Sequence, residues 1–372
     1  MNYRQLGGTG KSVSALGFGA MRLPMADGHV KMDEAVAMLR HGFDLGITYV
    51  DSAFGYCNQE SEIAVGKAIK GRRDKLLVST KFPPGRAKVP GDYRRTLEIQ
   101  LKRLDTDYVD LYHFHGINKN TFHDIILAQH LLEDAEKAKS DGLIRHISFS
   151  FHDKPENMRE MIDTGVFDSV LCQYNLLDQS NKDMIAYAHS RGLGVVIMGP
   201  VGGGRLAGAS ETFASMIPGG AKSTPEIALR FVLSNPHVSV CLSGMGSTVM
   251  VDENTAVASH DEPLTSDERA RIEAAIVEQR KLAQLYCTGC GYCIPCPQHV
   301  AIPKVFQMMN YHRVYGLTDH ARGEYKKLGE KPEELNAAAC SDCGACEKKC
   351  PQNIPIRQQL AESHRILAAV SH

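Results

Sequence analysis

Four residues in the first third of this 372-residue chain form a proton-transfer set if the fold brings them together. They are Asp51 and Tyr56 in VDSAFGY, Lys81 in STK and His115 in YHFH. A phenol with its ordinary pKa of about 10 does not readily release a proton at neutral pH. An adjacent ammonium favours the phenolate and lowers that value. Lys81 would act in this way on Tyr56, Asp51 would hold the ammonium charged and in place, and His115 would donate a hydrogen bond to an oxygen becoming an alkoxide. Each residue also has an ordinary structural reading: a capping or loop-anchoring Asp, a solvated Lys, a packed Tyr or His. Their coincidence at three consecutive strand ends favours the chemistry. His113 shares the parity of His115 one pleat deeper and is read as a core or supporting residue.

A second chemistry is written in the tail. Eight of the eleven cysteines lie between residues 287 and 350. CTGCGYCIPCP sets Cys287, Cys290, Cys293 and Cys296 at intervals of three, followed by Pro297. CSDCGACEKKCP sets Cys340, Cys343, Cys346 and Cys350 before Pro351, in the C-x2-C-x2-C-x3-C-P spacing of a bacterial [4Fe–4S] site. Two such runs resemble a two-cluster ferredoxin, in which the fourth cysteine of each run ligates the other cluster. That resemblance implies one cluster on Cys287, Cys290, Cys293 and Cys350, and a second on Cys340, Cys343, Cys346 and Cys296. The shortened gap before Cys296 then harms neither site. Two four-cysteine zinc sites are the alternative; they need only CxxC pairs, whereas a third cysteine at the same interval is natural to a cubane. Cys57, Cys172 and Cys241 are scattered through apolar or mixed segments and read as buried thiols.

Positioning the first set requires a particular succession of elements. Short apolar runs alternate with helical patterns: strand 14–21, helix 32–46, ITYVDSA, a helix at ESEIAVGKAIKG, KLLVSTK, a helix at YRRTLEIQLKRL and YVDLYHFH. Then come helix 122–140, LIRHISFS, helix 155–163, DSVLCQYN, helix 180–190, GVVIMGP, helix 224–234, VSVCLSGM and helix 266–284. Eight βα units over about 280 residues predict an α/β fold, a (β/α)8 TIM barrel, with an open doubly wound sheet as the alternative. No GxGxxG follows a strand, which weighs against the open sheet. The expected organisation is a barrel at 1–282 and a small, mainly helical ferredoxin-like iron–sulfur domain at 283–372.

Across residues 1 to about 282 the motifs VDSAFGY, STKF, YVDLYHFH, ISFS, QYN and SGM followed by EN occur in the order of the aldo-keto reductases, which the chain resembles. With its cysteine-rich tail it resembles, over its whole length, the subgroup carrying a ferredoxin-like domain. The resemblance implies reduction of a carbonyl or oxidation of an alcohol with NADPH or NADH, Tyr56 being the general acid in reduction. It further implies that Ser150 and Gln173 bind the carboxamide, that Glu253 and Asn254 hold the adenine end, and that Phe18, Gly19, Met21 and Arg22 line the same mouth. Ser243 and Met245 fall in the late SGM segment. The run GPVGGGRL, with Gly199, Pro200 and Gly203, resembles a phosphate-cradling loop; a merely flexible loop is the alternative. Two departures stand out: Phe151 follows Ser150 where the family usually has Asn, and Met198 stands where a Tyr often stacks on the nicotinamide. Basic residues of the kind that bind a 2′-phosphate are missing between Ser243 and Asn254, which leaves NAD against NADP open.

Hydrophobic residues at 43%, charged residues at 23% and a formal net charge of −1 are ordinary for a globular chain and give no pull towards nucleic acid or an anionic membrane. The N-terminus lacks the apolar core of a secretory signal, so a cytoplasmic location is expected. A small carbonyl or alcohol is the expected substrate. Hydride transfer moves two electrons whereas a cubane ordinarily moves one, and no flavin signature is present. A ferredoxin or flavoprotein partner therefore stands beside a structural or sensing role for the clusters. The alternative function is an iron–sulfur electron-transfer module whose barrel binds a ligand without turnover.

Overall fold

A computed structural model describes residues 1–202, 206, 223–260, 263–287, 291–350 and 354–369, with the backbone alone over 279–286. The chain opens with a hairpin, β1 (Tyr3–Gln5) and β2 (Ser12–Ser14), and enters β3 (Leu16–Gly19). A second hairpin, β4 (Met25–Ala26) and β5 (His29–Val30), leads to α1 (Met32–Asp44). The βα alternation follows: β6 (Tyr49–Asp51), α2 (Ser61–Ile69), β7 (Leu77–Phe82), α3 (Asp92–Leu104), β8 (Val109–Ile117), α4 (Lys119–Thr121) and α5 (Leu131–Ser140). It continues through β9 (Ile144–Phe151), α6 (Met158–Asp163), β10 (Ser169–Gln173), α7 (Lys182–Ser190), β11 (Gly194–Met198), α8 (Thr224–Leu233), β12 (Val240–Ser243) and α9 (Thr248–Ala258).

Strands β3 and β6 to β12 close into an eight-stranded barrel, β12 pairing with β3, and every pairing is parallel. Closure follows from the composition. These strands are almost wholly buried on both faces, which a parallel sheet achieves only when helices cover one side and its own curvature covers the other. Inside, Tyr49, Leu77, Leu111, Leu171, Val196, Val240 and Leu242 form one buried cluster with Leu6 and Val13 of the opening hairpin. Tyr49, Leu77 and Val240 begin their strands, so the hairpin residues packed with them stopper the N-terminal end and leave chemistry to the other.

The structure corrects three expectations. The first strand spans Leu16–Gly19 rather than 14–21: Ser14 pairs with Tyr3 in the opening hairpin, and Ala20 and Met21 lie beyond the last strand pairing, Gly19 with Asp51. The helix expected over 122–140 is interrupted: residues Phe122–Leu127 form a wider π turn, and His130, at φ 55, breaks the ladder before α5. The helix after the eighth strand is α9, started by Ser247, whose hydroxyl accepts from the Met250 amide at 3.3 Å; the helix expected there at 266–284 follows as α10 (Ser266–Tyr286). Val249 and Met250 on α9 face solvent, so it lacks the one-sided apolar stripe that announces a helix.

The described chain divides into two compact units, one of residues 1–203 and 228–264 and one of residues 204–227 and 265–372. Within the second, α11 (Ile302–Arg313), α12 (Thr318–Lys327) and α13 (Ile356–Leu367) pack on one another through Val305, Phe306, Ala321, Tyr325 and Leu360. No helix among the described residues is long and apolar enough to cross a membrane.

Gly7 carries the stopper's closest approach. It sits at φ +52, and a Cβ there would lie 2.2 Å from the Gly194 amide nitrogen, whereas a Cβ on Gly8 would meet only the Gly192 carbonyl at 3.5 Å. Gly7→Ala should therefore cost about 1–3 kcal/mol, read as a lower thermal midpoint, while Gly8→Ala stays within about 0.5 kcal/mol of wild type.

Candidate active site

The strand ends at the open mouth carry the four polar residues. Side chains alternate in and out along each strand, and the register Asp51↔Ser79 and Lys81↔His113 sets Asp51, Ser79, Lys81, His113 and His115 on the inner face. The Lys81 ammonium lies 2.5 Å from Asp51 Oδ2 and 2.6 Å from the Ser52 carbonyl, and both side chains are almost completely buried. The other carboxylate oxygen of Asp51 accepts from the Ser79 hydroxyl at 2.6 Å. Lys81 Nζ stands 4.7 Å from the centre of the Tyr56 ring, and the His115 ring meets that phenol edge-on with centroids 5.9 Å apart. All four predicted residues share one site.

Their electrostatics differ in one respect from the expectation. Burial pushes the Tyr56 phenol above its usual value; Lys81 pulls it down, but not far enough to win. Burial alone would lower Lys81, yet Asp51 and Tyr56 together raise it, so the ammonium stays charged. Burial, then Lys81 and then His152, hold the His115 imidazole down to about 3, and burial with Lys81 keeps His113 neutral. His115 is therefore a neutral imidazole at physiological pH, with one N–H to donate.

The segment bearing Tyr56 is held by residues that the motifs did not reveal. Cys57, Asn58 and Gln59 follow the phenol with φ of 49, 52 and 71, three left-handed residues with side chains. Such residues cost about 1–2 kcal/mol each unless their surroundings impose them. Here the Asn58 amide donates to the Gly28 carbonyl at 2.7 Å, the Arg103 guanidinium donates to Gln59 Oε1 at 2.7 Å and to the Phe54 carbonyl at 3.2 Å, and Glu60 accepts from the Val30 amide at 2.6 Å. The Phe54 ring has both Arg86 and Arg103 over it, at 4.4 and 4.3 Å. Glu62, wholly buried on α2, accepts from Thr80, Gln100 and Arg103, and Gln100 also donates to the Lys81 carbonyl at 3.0 Å. One network thus anchors the strand bearing Lys81 and the loop bearing Tyr56. Its only sequence signal is a charged residue within the otherwise apolar face of ESEIAVG.

Several of the residues expected around a dinucleotide lie at the ends of the barrel strands. Gly19, Gln173, Met198 and Ser243 end their strands, and Ser150 is the penultimate residue of its own. Gln173 pairs in register with Met198, and its half-buried side-chain amide makes no hydrogen bond among the described residues. Ser150 Oγ accepts from the Gly116 amide at 2.6 Å, Asn254 donates to Ser243 Oγ at 3.0 Å, and Met245 is buried. The Arg22 stem lies against Gly244, Met21 is exposed, and Glu253 faces solvent. Gly199, at φ 62, and the buried Pro200 begin a turn closed by Gly202 N–H donating to the Gly199 carbonyl at 2.8 Å; Gly203 lies outside the described residues. Asn175, buried and also unforeseen, holds that same carbonyl at 2.9 Å. Phe18 departs from expectation: it points outward, where a Cβ on Gly42 would touch its ring at 3.1 Å.

A family model described as the aldo/keto reductase family matches residues 15–277, and one described as a 4Fe-4S dicluster domain matches 286–354. The chain belongs to the aldo/keto reductase family. This family member is 31% identical over 306 residues to L-galactose dehydrogenase of Arabidopsis thaliana, covering 75% of the chain and 95% of that relative. Its structure resembles the holo form of aldo-keto reductase AKR11C1 from Bacillus halodurans, with TM-score 0.64, 29% identity, and coverage of 74% of this chain and 96% of that one. It also resembles an aldo/keto reductase from Klebsiella pneumoniae solved in complex with NADP and acetate, with TM-score 0.62, 26% identity, and coverage of 72% and 93%.

In the tail Cys290 lies outside the described residues; Cys287, Cys293, Cys296, Cys340, Cys343, Cys346 and Cys350 are described, and none of them forms a disulfide. Left-handed residues turn the described backbone at Gly291, with φ 80, and in the second run at Asp342, with φ 56, and Gly344, with φ 70. Cys340 and Cys346 are close enough for one thiolate to bear on the other, and burial pushes the Cys346 thiol up. Among the described residues no three His, Cys, Asp or Glu side chains converge around a point that would hold a single metal ion. A parallel bridge between Val300 and Leu335 lays the chain just past Cys296 beside the chain just before Cys340. Cysteines of this spacing, outside disulfides among the described residues, fit iron–sulfur clusters.

The depressed value of His115 sets a pH dependence. Its unfolded imidazole takes a proton near 6.5 and its folded one only near 3, so the folded state binds fewer protons between these values. The stability it contributes is present above pH 6.5 and is lost as pH falls towards 3. The thermal midpoint should fall with acidification through this window, and His115→Asn should flatten that slope.

Proposed function

We propose that the protein is an NAD(P)H-dependent oxidoreductase that reduces a carbonyl, or oxidises the corresponding alcohol, and that residues 283–372 carry two [4Fe–4S] clusters. The observation that carries the first half is the ammonium of Lys81, held between the Asp51 carboxylate at 2.5 Å and the Tyr56 ring at 4.7 Å at the open end of the barrel. The relative named as a dehydrogenase and the similar structure solved with NADP support the same reading.

A bound nicotinamide dinucleotide supplies, or accepts, the hydride. Gln173 and Ser150 would hold its carboxamide, Met198 would lie along its ring, and Gly199, Pro200 and Gly203 would face its phosphates. Gly19, Met21, Arg22, Ser243, Met245, Glu253 and Asn254 complete the cleft. During reduction Tyr56 passes its phenolic proton to the carbonyl oxygen, and the charge left on the phenolate is met by Lys81. Neutral His115 donates its N–H to the same oxygen and orients it. In oxidation the phenolate takes the proton back. Asp51 takes no proton; it keeps Lys81 charged and aimed.

Tyr56→Phe should lower kcat/KM by about 10²–10⁴-fold with the fold intact, measured as NADPH and NADH oxidation across a panel of aldehydes and ketones. Equal activity of the variant and wild type would remove Tyr56 from its role. No turnover by wild type, with clusters that still accept electrons from a ferredoxin or flavoprotein, would favour an electron-transfer module instead.

For the tail we propose Cys287, Cys290, Cys293 and Cys350 on one cluster, and Cys340, Cys343, Cys346 and Cys296 on the other, the exchange being supported by the Val300–Leu335 bridge. Anaerobically reconstituted protein should hold about eight irons and eight acid-labile sulfides per chain. Cys296→Ser should disturb the same cluster as Cys340→Ser, judged by matching electron paramagnetic resonance signals. Disturbance of the other cluster would overturn the exchange, and zinc in a colourless protein would overturn the clusters.

A further inference from the structure

One side chain outside the cysteines spans the loop that carries two of them. Arg357 is the second residue of α13. Its backbone N–H donates to Glu347 Oε1 at 2.9 Å, and its Nε donates to Glu347 Oε2 at 2.9 Å. Its Nη1 stands 3.4 Å from both the carbonyl and the carboxylate of Asp342. A Cβ on Gly344 would lie 3.7 Å from the guanidinium carbon, and the charge of Cys346 bears on that guanidinium. Arg357 therefore touches residues 342, 344 and 347, which bracket Cys343 and Cys346. Cys343 is the exposed cysteine of this run and Cys346 the buried one.

As a stability device the contact is small. The Arg357 side chain is 41% exposed, and exposed ion pairs contribute at most about 1 kcal/mol. A cation has a larger use beside a cluster that takes up an electron. Reduction converts [4Fe–4S]2+ and one electron into [4Fe–4S]+, and a fixed positive charge near the sulfurs favours the more negative, reduced form. Lys348 and Lys349 also carry positive charge on this loop, but both are exposed and neither side chain makes a hydrogen bond among the described residues. Arg357 is held in place by two carboxylates.

We infer that Arg357 is a positioning residue for the cluster on Cys340, Cys343 and Cys346: it fastens the loop between Asp342 and Glu347, and its guanidinium raises that cluster's reduction potential. The inference rests on the cluster-binding reading above. Charge and clasp make separable predictions. Arg357→Gln removes both, Arg357→Lys keeps the charge but loses the two-pronged grip, and Glu347→Gln loosens the grip while removing a negative charge.

The test uses the full chain, reconstituted with iron and sulfide without oxygen, reduced stepwise by dithionite and followed by electron paramagnetic resonance. Far-ultraviolet circular dichroism checks folding. For Arg357→Gln one of the two reduction steps should move to lower potential, with the reduced-to-oxidised ratio at fixed potential falling about fivefold to tenfold, where tenfold is 59 mV for a one-electron couple. Glu347→Gln should move the same step the other way. Arg357→Lys should leave it near wild type, and all three variants should lose iron to a chelator faster than wild type. Raised ionic strength should shrink the shifts. Unchanged potentials, or shifts of one sign for Arg357→Gln and Glu347→Gln, would reduce Arg357 to a structural clasp and overturn the inference. If Arg357→Gln does not fold, a raised potential in Glu347→Gln beside an unmoved one in Arg357→Lys still decides. Wild type without iron would overturn the cluster reading first, and this inference with it.

Discussion

A charged amine buried inside a barrel is the constraint around which the first unit is arranged. Moving an ammonium and a carboxylate out of water costs several kcal/mol per ion, repaid only when the partners lie close and their remaining hydrogen-bonding capacity is met. Lys81 and Asp51 meet both conditions, with Ser52 and Ser79 supplying the additional bonds. The pair therefore rests on β6 and β7 being neighbours in register, which only the closed parallel sheet provides. The hairpin stopper at the far end and the helices outside are the conditions under which such a pair stays dry.

The same dryness sets the character of its neighbours. Burial raises the Tyr56 phenol and depresses His115 and His113, so the Lys81–Asp51 ion pair sits beside a phenol and two imidazoles that are neutral at rest. A catalytic phenol at such a site keeps its proton until an acceptor oxygen arrives. Around it the strained turn after Tyr56 is held by Asn58 and Glu60, bonded to residues 28 and 30, and by Gln59, bonded to Arg103. The tail follows another logic: closely spaced cysteines and a small helical core, with Arg357 and Glu347 tying the second run to α13.

Much of this was legible. Alternating apolar runs and helical stretches announced a (β/α)8 barrel, because a strand buried on both faces reads as a continuous apolar run and each must be followed by a covering helix. The four polar residues stood out because a charge or a polar ring at the end of such a run breaks its pattern. What was missed lay where local pattern and tertiary demand part. Ser14 reads as the start of β3 yet pairs with Tyr3 in the opening hairpin, and α9 carries apolar residues on its exposed side. Glu62, Gln100 and Asn175 look like ordinary polar residues, and their burial becomes visible only once distant segments meet.

The sequence by itself determined the family, the eight βα units, the four polar residues at the strand ends and the spacing of the cysteines, since these depend on residue type and on intervals of a few residues along one chain. Tertiary structure alone decided that Tyr56 sits above rather than below its ordinary pKa, that Phe18 turns away from the mouth, and that Arg357 lies along the second cysteine run. Each of these is a matter of how much water is excluded and which remote atoms fill the space, and neither quantity is a property of neighbouring residues in the chain.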